Sequence, residues 1–228
     1  MQPETEPIKR QWIREIVNSK TFADIGGLGG SAVNEMVSTA VQAGASAATL
    51  VDVLPPEDPL WRDFEDRCAR LEITGYQKLC ADLEGEPLGP WDVVHSSGIL
   101  YHAANPVHQV VRLRQACSQW LVFTSMVVPR EIGGFDLGEG AAIFVPALKG
   151  ATRQAFARHF ESLGLAVEGV NTDCAAPWVV APGVYNYGPW WWLFTTDFVE
   201  SLLKIAGFAI VRREETWPGR AVSWLCRI

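Results

Sequence analysis

Hydrophobic and polar positions along the chain switch repeatedly between helical and strand-like spacing. Ile8, Trp12, Ile13, Ile16 and Val17 recur at helical intervals, so Ile8–Ser19 reads as a short amphipathic helix. Thr21–Ile25 is a short apolar run ended by Gly-Gly-Leu-Gly-Gly. Val33, Met36, Val37, Ala40 and Val41 then mark one face of a helix over Ser31–Ala43, stopped by Gly44. Ala47–Val53 is apolar and rich in strand formers, a second strand. Leu60–Leu71 is a charged amphipathic helix, Tyr76–Ala81 a third strand and Trp91–His95 a fourth. Pro106–Ser118 predicts a helix and Trp120–Val128 a fifth strand. Many glycines and prolines break residues 129–189, which hold one clear helix, Thr152–Leu163. That stretch reads as an insertion or substrate lid within a single domain spanning 1–228. Thr195–Ala206 is a helix stopped by Gly207, and Phe208–Arg213 and Ala221–Arg227 are two strands paired around Trp217-Pro218-Gly219.

Strands alternating with helices imply an α/β fold with a mostly parallel seven-stranded sheet, helices on both faces and an antiparallel C-terminal strand. In such sheets ligands bind outside the carboxyl ends of the strands. Composition narrows the classes. With 228 residues and 48% hydrophobic positions the chain can bury a full core. A formal charge of −7 makes it a poor general binder of phosphate backbone, so nucleic acid is not the expected partner. The first twenty residues are mixed in charge and carry no signal-like apolar run, and no window is long and apolar enough to span a membrane. Five scattered cysteines form no CxxC pair and the four histidines no metal spacing. Cys80 and Cys117 read as packing residues. Reduced thiols in a cytoplasmic protein without a metal are expected.

The strand ends carry the candidate chemistry. Asp24-Ile25-Gly26-Gly27-Leu28-Gly29-Gly30 follows the first strand and opens a helix. Glycines there let a ligand approach the backbone. Gly27-Leu28-Gly29-Gly30-Ser31-Ala32 fits the dinucleotide pattern G-x-G-x-x-G/A, whereas Asp24-x-Gly26 fits the acidic-first turn of S-adenosylmethionine binders. A carboxylate at Asp24 would oppose a pyrophosphate but suits an ammonium group. A tight turn without ligand is the plain alternative. At the second strand end Asp52 is placed to accept both ribose hydroxyls, and at the third Asp82-Leu83 offers a carboxylate for an adenine amino group and an apolar face for its ring.

The fourth strand runs into "DVVHSSGILYHAANP", Asp92–Pro106. With the three preceding strand ends this resembles a class I S-adenosylmethionine-dependent methyltransferase. The branch it resembles includes the tRNA wobble-uridine carboxymethyltransferases and many small-molecule methyltransferases. The tail "WWWLFTTDFVESLLKIAGFAIV" resembles the closing helix–strand unit of that branch. The resemblance covers Thr21–Val128 and Trp190–Ile228 well and 129–189 poorly. It departs at Leu28, which stands where the family's central glycine belongs. The chain also lacks the Asn-Pro-Pro-Tyr tetrapeptide of enzymes that methylate nucleobase amines.

The resemblance implies a Rossmann-like fold and S-adenosyl-L-methionine as cofactor. It places Asp24, Gly26, Gly27, Gly29, Asp52, Asp82, Leu83, Ser96 and Gly98 at the cofactor, and Tyr101 and His102 facing the transferred methyl group and acceptor. An imidazole titrates near working pH, so His102 is the candidate general base. His95 reads as a packed strand residue. The expected activity is methyl transfer to a small-molecule acceptor, with an oxygen nucleophile first. A nicotinamide-dependent oxidoreductase and a non-catalytic methyltransferase-like partner protein are the competing readings.

Ten tryptophans are the remaining oddity, four of them between Trp178 and Trp192. Three adjacent tryptophans cannot all face one way on a strand or helix. Tyr185, Tyr187, Trp190 and Trp191 are therefore the candidate acceptor-binding residues, with a packed core or a homodimer interface as the other uses of the cluster.

Overall fold

The computed structural model describes residues 7–28, 34–85, 87–165, 177–181, 184–217 and 219–228. In chain order the first half runs α1 (Ile8–Ile16), β1 (Thr21–Ile25), α2 (Val37–Gln42), β2 (Ala47–Asp52), α3 (Pro59–Arg70), β3 (Tyr76–Cys80) and β4 (Trp91–Ser97). A single 3-10 turn, Leu100–His102, leads to α4 (Pro106–Ala116) and β5 (Cys117–Met126). Then come β6 (Glu131–Ile132), β7 (Phe135–Asp136), β8 (Ala142–Phe144), α5 (Gly150–Ser162), β9 (Val179–Ala181), β10 (Val184–Tyr185) and β11 (Trp192–Phe194). α6 (Thr196–Ile205), β12 (Ala209–Thr216) and β13 (Ala221–Arg227) follow.

Seven strands form one sheet in the order β12-β13-β5-β4-β1-β2-β3. β3, β2, β1, β4 and β5 are parallel, and β13 runs antiparallel between β5 and β12. This is the α/β, mostly parallel, seven-stranded arrangement that the strand–helix alternation predicts, with helices on both faces. The strand order reverses direction between β1 and β4, which opens a crevice at their carboxyl ends.

Strand periodicity of two sorts the sheet residues between its faces. Phe22, Leu50, Val93 and Val122 pack with Trp12 and Ile13 of α1, Val37 and Ala40 of α2, and Trp61 and Phe64 of α3. Ala23, Ile25, Val51, Val94 and Phe123 face the opposite way, onto Val110 and Leu113 of α4 and Val199 and Leu203 of α6. A third cluster lies under the β6–α5 region, where Val128, Ile132, Val145, Phe156, Phe160 and Leu193 pack together. Trp190 packs against both this cluster and the α4–α6 face, so it ties the segment before α6 to the main sheet.

Several boundaries differ from the sequence reading, each for a tertiary reason. The helix expected over Ser31–Ala43 begins only at Val37. Residues 29–33 lie outside the described residues. The backbone N–H of Met36 donates to Asp24, and Ser38 donates both N–H and hydroxyl to Glu35, so carboxylates take the donors that an earlier helical turn would use. β4 continues past His95 to Ser97, because β1 and β5 both pair with Ser96 and β5 pairs on to Ser97. α4 ends at Ala116, two residues before its predicted end, and β5 begins directly after it. Cys117 packs as expected, but Cys80 is exposed, since β3 is the edge strand and four of its five residues are exposed. Among the described residues no helix is long and apolar enough to cross a membrane.

Candidate active site

The carboxyl ends of β1 to β4 open on a cavity of about 1030 Å³. Its floor begins with the glycine turn after β1. Asp24 lies beneath that turn and is fully buried. Its Oδ2 accepts the Met36 N–H at 2.7 Å and its Oδ1 lies 2.6 Å from His95 Nδ1. Both oxygens are thus engaged, and the side chain stands behind the cavity wall rather than in it. Gly26 and Gly27 line the cavity. Gly26 has a φ of +79°, and a Cβ there would meet Ile99 Cγ2 at 2.5 Å. A Cβ on Gly27 would lie 2.4 Å from Leu50 Cδ1 and 2.6 Å from Asp24 Oδ2. Gly29 lies outside the described residues. Leu28, the departure from the family pattern, buries its side chain in the α1–α2–α3 core and donates its N–H to Asp52 Oδ2 at 3.0 Å. It therefore anchors the turn from behind and takes no space from the cavity.

At the end of β2, Asp52 lines the cavity, and Leu28 and Leu54 N–H groups hold its two oxygens. Burial pushes its carboxyl pKa above the ordinary value, against the pull of those hydrogen bonds. A carboxylate has about four lone-pair sites, so both oxygens can still accept ligand hydroxyls. Beyond β3, Asp82 and Leu83 also line the cavity. Tyr187 reaches across from the far segment, and its hydroxyl donates to the Asp82 carboxylate, 2.9 Å from each oxygen. The buried Arg112 of α4 holds this loop from below, with Nε on the Leu83 carbonyl at 3.0 Å and Nη2 on the Gly85 carbonyl at 2.5 Å. Glu84, in the same loop, is pushed up to about 7 by burial and by the neighbouring Asp82 charge.

The end of β4 refines the sequence reading by one residue. Ser96 is fully buried and does not line the cavity; Ser97 does. Alternation explains this: Ser97 shares a sheet face with His95, and Ser96 faces α4 and α6. Lys9 of α1 comes from the same side, lines the cavity and donates to Ser97 Oγ at 3.0 Å. Neither Lys9 nor His95 is a candidate on sequence grounds. The available signal for Lys9 is that it sits four residues before the core residue Ile13, on the inward face of α1. Gly98, with φ +79°, turns the chain toward the 3-10 helix, and a Cβ there would lie 3.4 Å from the Tyr101 hydroxyl.

Tyr101 and His102 both line the cavity, with ring centroids 4.4 Å apart. Burial raises Tyr101 to about 12, so its hydroxyl stays protonated at neutral pH. His102 Nδ1 lies 2.9 Å from the Pro189 carbonyl, which can only accept, so Nδ1 carries the proton and Nε2 is the acceptor. Burial lowers the pKa of this histidine against that hydrogen bond, which favours the neutral ring.

Of the aromatic candidates, Tyr185 and Tyr187 line the cavity and Trp190 and Trp191 do not. Trp191 is buried, and its indole N–H donates to the Asn186 carbonyl. Trp190 packs edge-on against Tyr101 and Phe160, at 5.2 and 5.5 Å. These tryptophans support the wall that carries Tyr101 and His102. Trp217, 53% exposed at the β12–β13 turn, lines the opening instead. Among the described residues no group of three or more His, Cys, Asp or Glu could hold a metal ion.

Sheet order, crevice and strand-end residues together decide the fold relationship. The fold is that of the class I S-adenosylmethionine-dependent methyltransferases. A methyltransferase of this type from Mesorhizobium loti superposes with a TM-score of 0.57 over 98% of this chain and 99% of its own, at 15% identity. The 1,6-didemethyltoxoflavin-N1-methyltransferase of Burkholderia thailandensis, bound to 1,6-didemethyltoxoflavin and S-adenosylhomocysteine, gives 0.55 at 14% identity, over 97% of this chain and 79% of its own. The magnesium protoporphyrin IX methyltransferase of Synechocystis PCC 6803, bound to S-adenosylmethionine, gives 0.56 at 10% identity, over 96% and 75%. No family model and no curated protein matches the chain in sequence.

Proposed function

We propose that the chain is an S-adenosylmethionine-dependent methyltransferase acting on a small-molecule acceptor. One observation carries this beyond the fold. At the start of α2 the Met36 N–H donates to Asp24 and the Ser38 N–H to Glu35, so two donors that a dinucleotide pyrophosphate could use are taken by carboxylates. Asp52 and Asp82 add carboxylates at the next two strand ends. Such a cavity suits a nucleoside that carries positive charge and no phosphate. This favours S-adenosylmethionine over a nicotinamide cofactor.

The residues present fit that group. Asp52 would hold the ribose hydroxyls, Leu83 would lie against the adenine ring, and Gly26, Gly27 and Gly98 would let the ligand approach the backbone. Asp82 is engaged by Tyr187, so the adenine amino group would compete with or join that hydrogen bond. When bound, the cofactor supplies an electrophilic methyl group on a sulfonium. The chain's own residues then position the acceptor and handle its proton. His102 Nε2 takes a proton from an acceptor hydroxyl while Pro189 fixes the ring, and Tyr101 stays a hydrogen-bond donor. The cavity lies at the upper end of the roughly 300–1,000 Å³ range of small-molecule sites, which leaves space for cofactor and acceptor together. Tyr185, Tyr187 and Trp217 offer aromatic faces to a flat or amphipathic acceptor, and the described residues of 129–189 would act as its lid.

The finer relation to the wobble-uridine branch rests on the Asp92–Pro106 segment and the closing helix–strand unit alone. Calorimetry tests the proposal: S-adenosylhomocysteine binds the wild-type protein and fails to bind Asp52→Ala, and an NAD(P)H fluorescence titration shows no saturable change. Saturable NAD(P)H binding without S-adenosylmethionine or S-adenosylhomocysteine binding overturns it.

A further inference from the structure

Trp217 stands in a turn that does not favour it. Residues 217–220 join β12 to β13 beyond the Thr216–Ala221 pair. The Arg220 N–H donates to the Trp217 carbonyl at 2.7 Å, and the Arg220 carbonyl accepts the Val127 N–H at 2.9 Å. The turn is thus closed on itself and tied to the chain just after β5. Trp217 takes a φ of +50° in it. That region suits Gly or Asn, and a bulky side chain there is an outlier that persists only where its surroundings over-determine it. Core packing does not explain the choice. Alone of the ten tryptophans Trp217 is exposed, and among the described residues no other ring stacks on it.

Its place in the fold is specific. Ala221 pairs with Met126, so the turn lies at the carboxyl end of β5. Asp52 and Asp82, at the ends of β2 and β3, lie on the other side of β1. Trp217 therefore lines the end of the cavity away from those two carboxylates, and His102 follows β4, which stands between. The rim continues in the β9–β10 hairpin. Tyr185 lines the cavity and pairs with Val179, so the two share a face, and both are exposed. Exposed apolar side chains gathered at a cavity mouth mark a binding surface. His102 bears on the chemistry of what binds there. Burial lowers its pKa, so Nε2 is a weak base. A weak base suits an acidic hydroxyl, such as a phenol that ionises near about 10, and not an aliphatic alcohol.

We infer that the acceptor is a planar phenol whose ring stacks on Trp217 at the cavity mouth, and that Trp217 is the specificity-determining residue for it. The inference rests on the methyltransferase reading and names its acceptor class. Trp217 gives the ring a flat apolar face, and the Tyr185–Val179 rim covers what protrudes. His102 Nε2 takes the phenol proton as the oxygen–methyl bond forms and the methyl–sulfur bond breaks, with its electron pair staying on sulfur. The strained turn holds the indole at the mouth, where a glycine would fit the backbone and offer no surface.

Calorimetry on the full chain saturated with S-adenosylhomocysteine tests it, with 2-naphthol and its saturated counterpart decahydro-2-naphthol as probes. Ring stacking beyond area burial corresponds to roughly 2- to 10-fold in affinity, so wild type binds 2-naphthol more tightly by about that factor. Trp217→Phe keeps most of this preference and Trp217→Leu loses it. Both variants keep a large apolar side chain at positive φ, so the strain of the turn is matched, and both bind S-adenosylhomocysteine as wild type does. With S-adenosylmethionine, wild type methylates 2-naphthol and not 2-naphthalenemethanol, whose hydroxyl is aliphatic. Four results overturn the inference and leave the methyltransferase reading standing: no preference for 2-naphthol in wild type, an undiminished preference in Trp217→Leu, equal loss in Trp217→Phe and Trp217→Leu, or failure to methylate 2-naphthol ahead of 2-naphthalenemethanol. Failure of wild type to bind S-adenosylmethionine or S-adenosylhomocysteine overturns both.

Discussion

Gly26 and Gly134 give a controlled test of the turn that opens the cavity. Their backbones are nearly alike, with φ of +79° and +82°. Their surroundings are not. A Cβ on Gly134, at the β6–β7 turn, meets nothing within 4 Å, whereas a Cβ on Gly26 meets Ile99 Cγ2 at 2.5 Å. Gly134→Ala therefore carries only the left-handed backbone penalty, about 1–2 kcal/mol. Gly26→Ala carries that penalty and an overpacking cost of about 1–3 kcal/mol. The difference isolates the contact. For a chain of this size about 1 kcal/mol moves the melting temperature by roughly 2–4 °C, so Gly26→Ala should melt about 2–12 °C below Gly134→Ala. Circular dichroism melts read both. The double variant Gly26→Ala/Ile99→Ala removes the clashing methyl, so it should recover part of that gap, a coupling that independent sites do not show. S-adenosylhomocysteine affinity should fall in Gly26→Ala and stay unchanged in Gly134→Ala. Equal melting of the two single variants, or strict additivity with Ile99→Ala, refutes the packing argument for the turn.

Three further outcomes are expected. The His102 ring titrates below the ordinary histidine value of about 6.5, because burial disfavours its charged form, and ring NMR over pH 4–8 shows whether the midpoint lies there. Glu84 has its folded pKa raised to about 7 by burial, so its contribution is fully present below the unfolded carboxylate value and is lost as pH rises through about 7. Glu84→Gln should accordingly raise the melting temperature more at pH 8 than at pH 4.5. Arg112→Met leaves the Leu83 and Gly85 carbonyls without their guanidinium donors, which should cost about 1–3 kcal/mol in a urea melt and weaken 5′-methylthioadenosine binding along with stability.

Much of the scaffold is legible because its strands carry their own signals. Thr21–Ile25 and Ala221–Arg227 are short apolar runs bounded by turn residues, and tertiary context leaves those boundaries unchanged. The start of α2 is different. It is set by Asp24, twelve residues upstream, and no local pattern reports that Met36 will donate to a strand-end carboxylate. Ser96 and Ser97 look like a turn by composition, yet pair as strand because β1 and β5 flank Ser96 and β5 carries the pairing on to Ser97. The site shows the same division. Asp52, Asp82, Tyr101 and His102 follow from strand order plus residue type, while Lys9 comes from a helix with no fixed relation to the strand ends. Trp190 and Trp191 illustrate the opposite error: aromatic excess marks a wall, and residue type alone does not say which side of it faces the ligand.

The position of β13 bears on how the protein is made. Ala221–Arg227 pairs with β5 on one side and β12 on the other, so the closing segment fills a slot inside the sheet. During synthesis the open edge of β5, with Leu121, Val122 and Phe123 at its centre, emerges well before its neighbour exists. An unpaired apolar edge is a template for pairing with other chains. The nascent chain is thus most vulnerable to aggregation until Ala221–Arg227 has emerged, and termination within the β12–β13 hairpin leaves a sticky, uncompleted sheet rather than a smaller folded one.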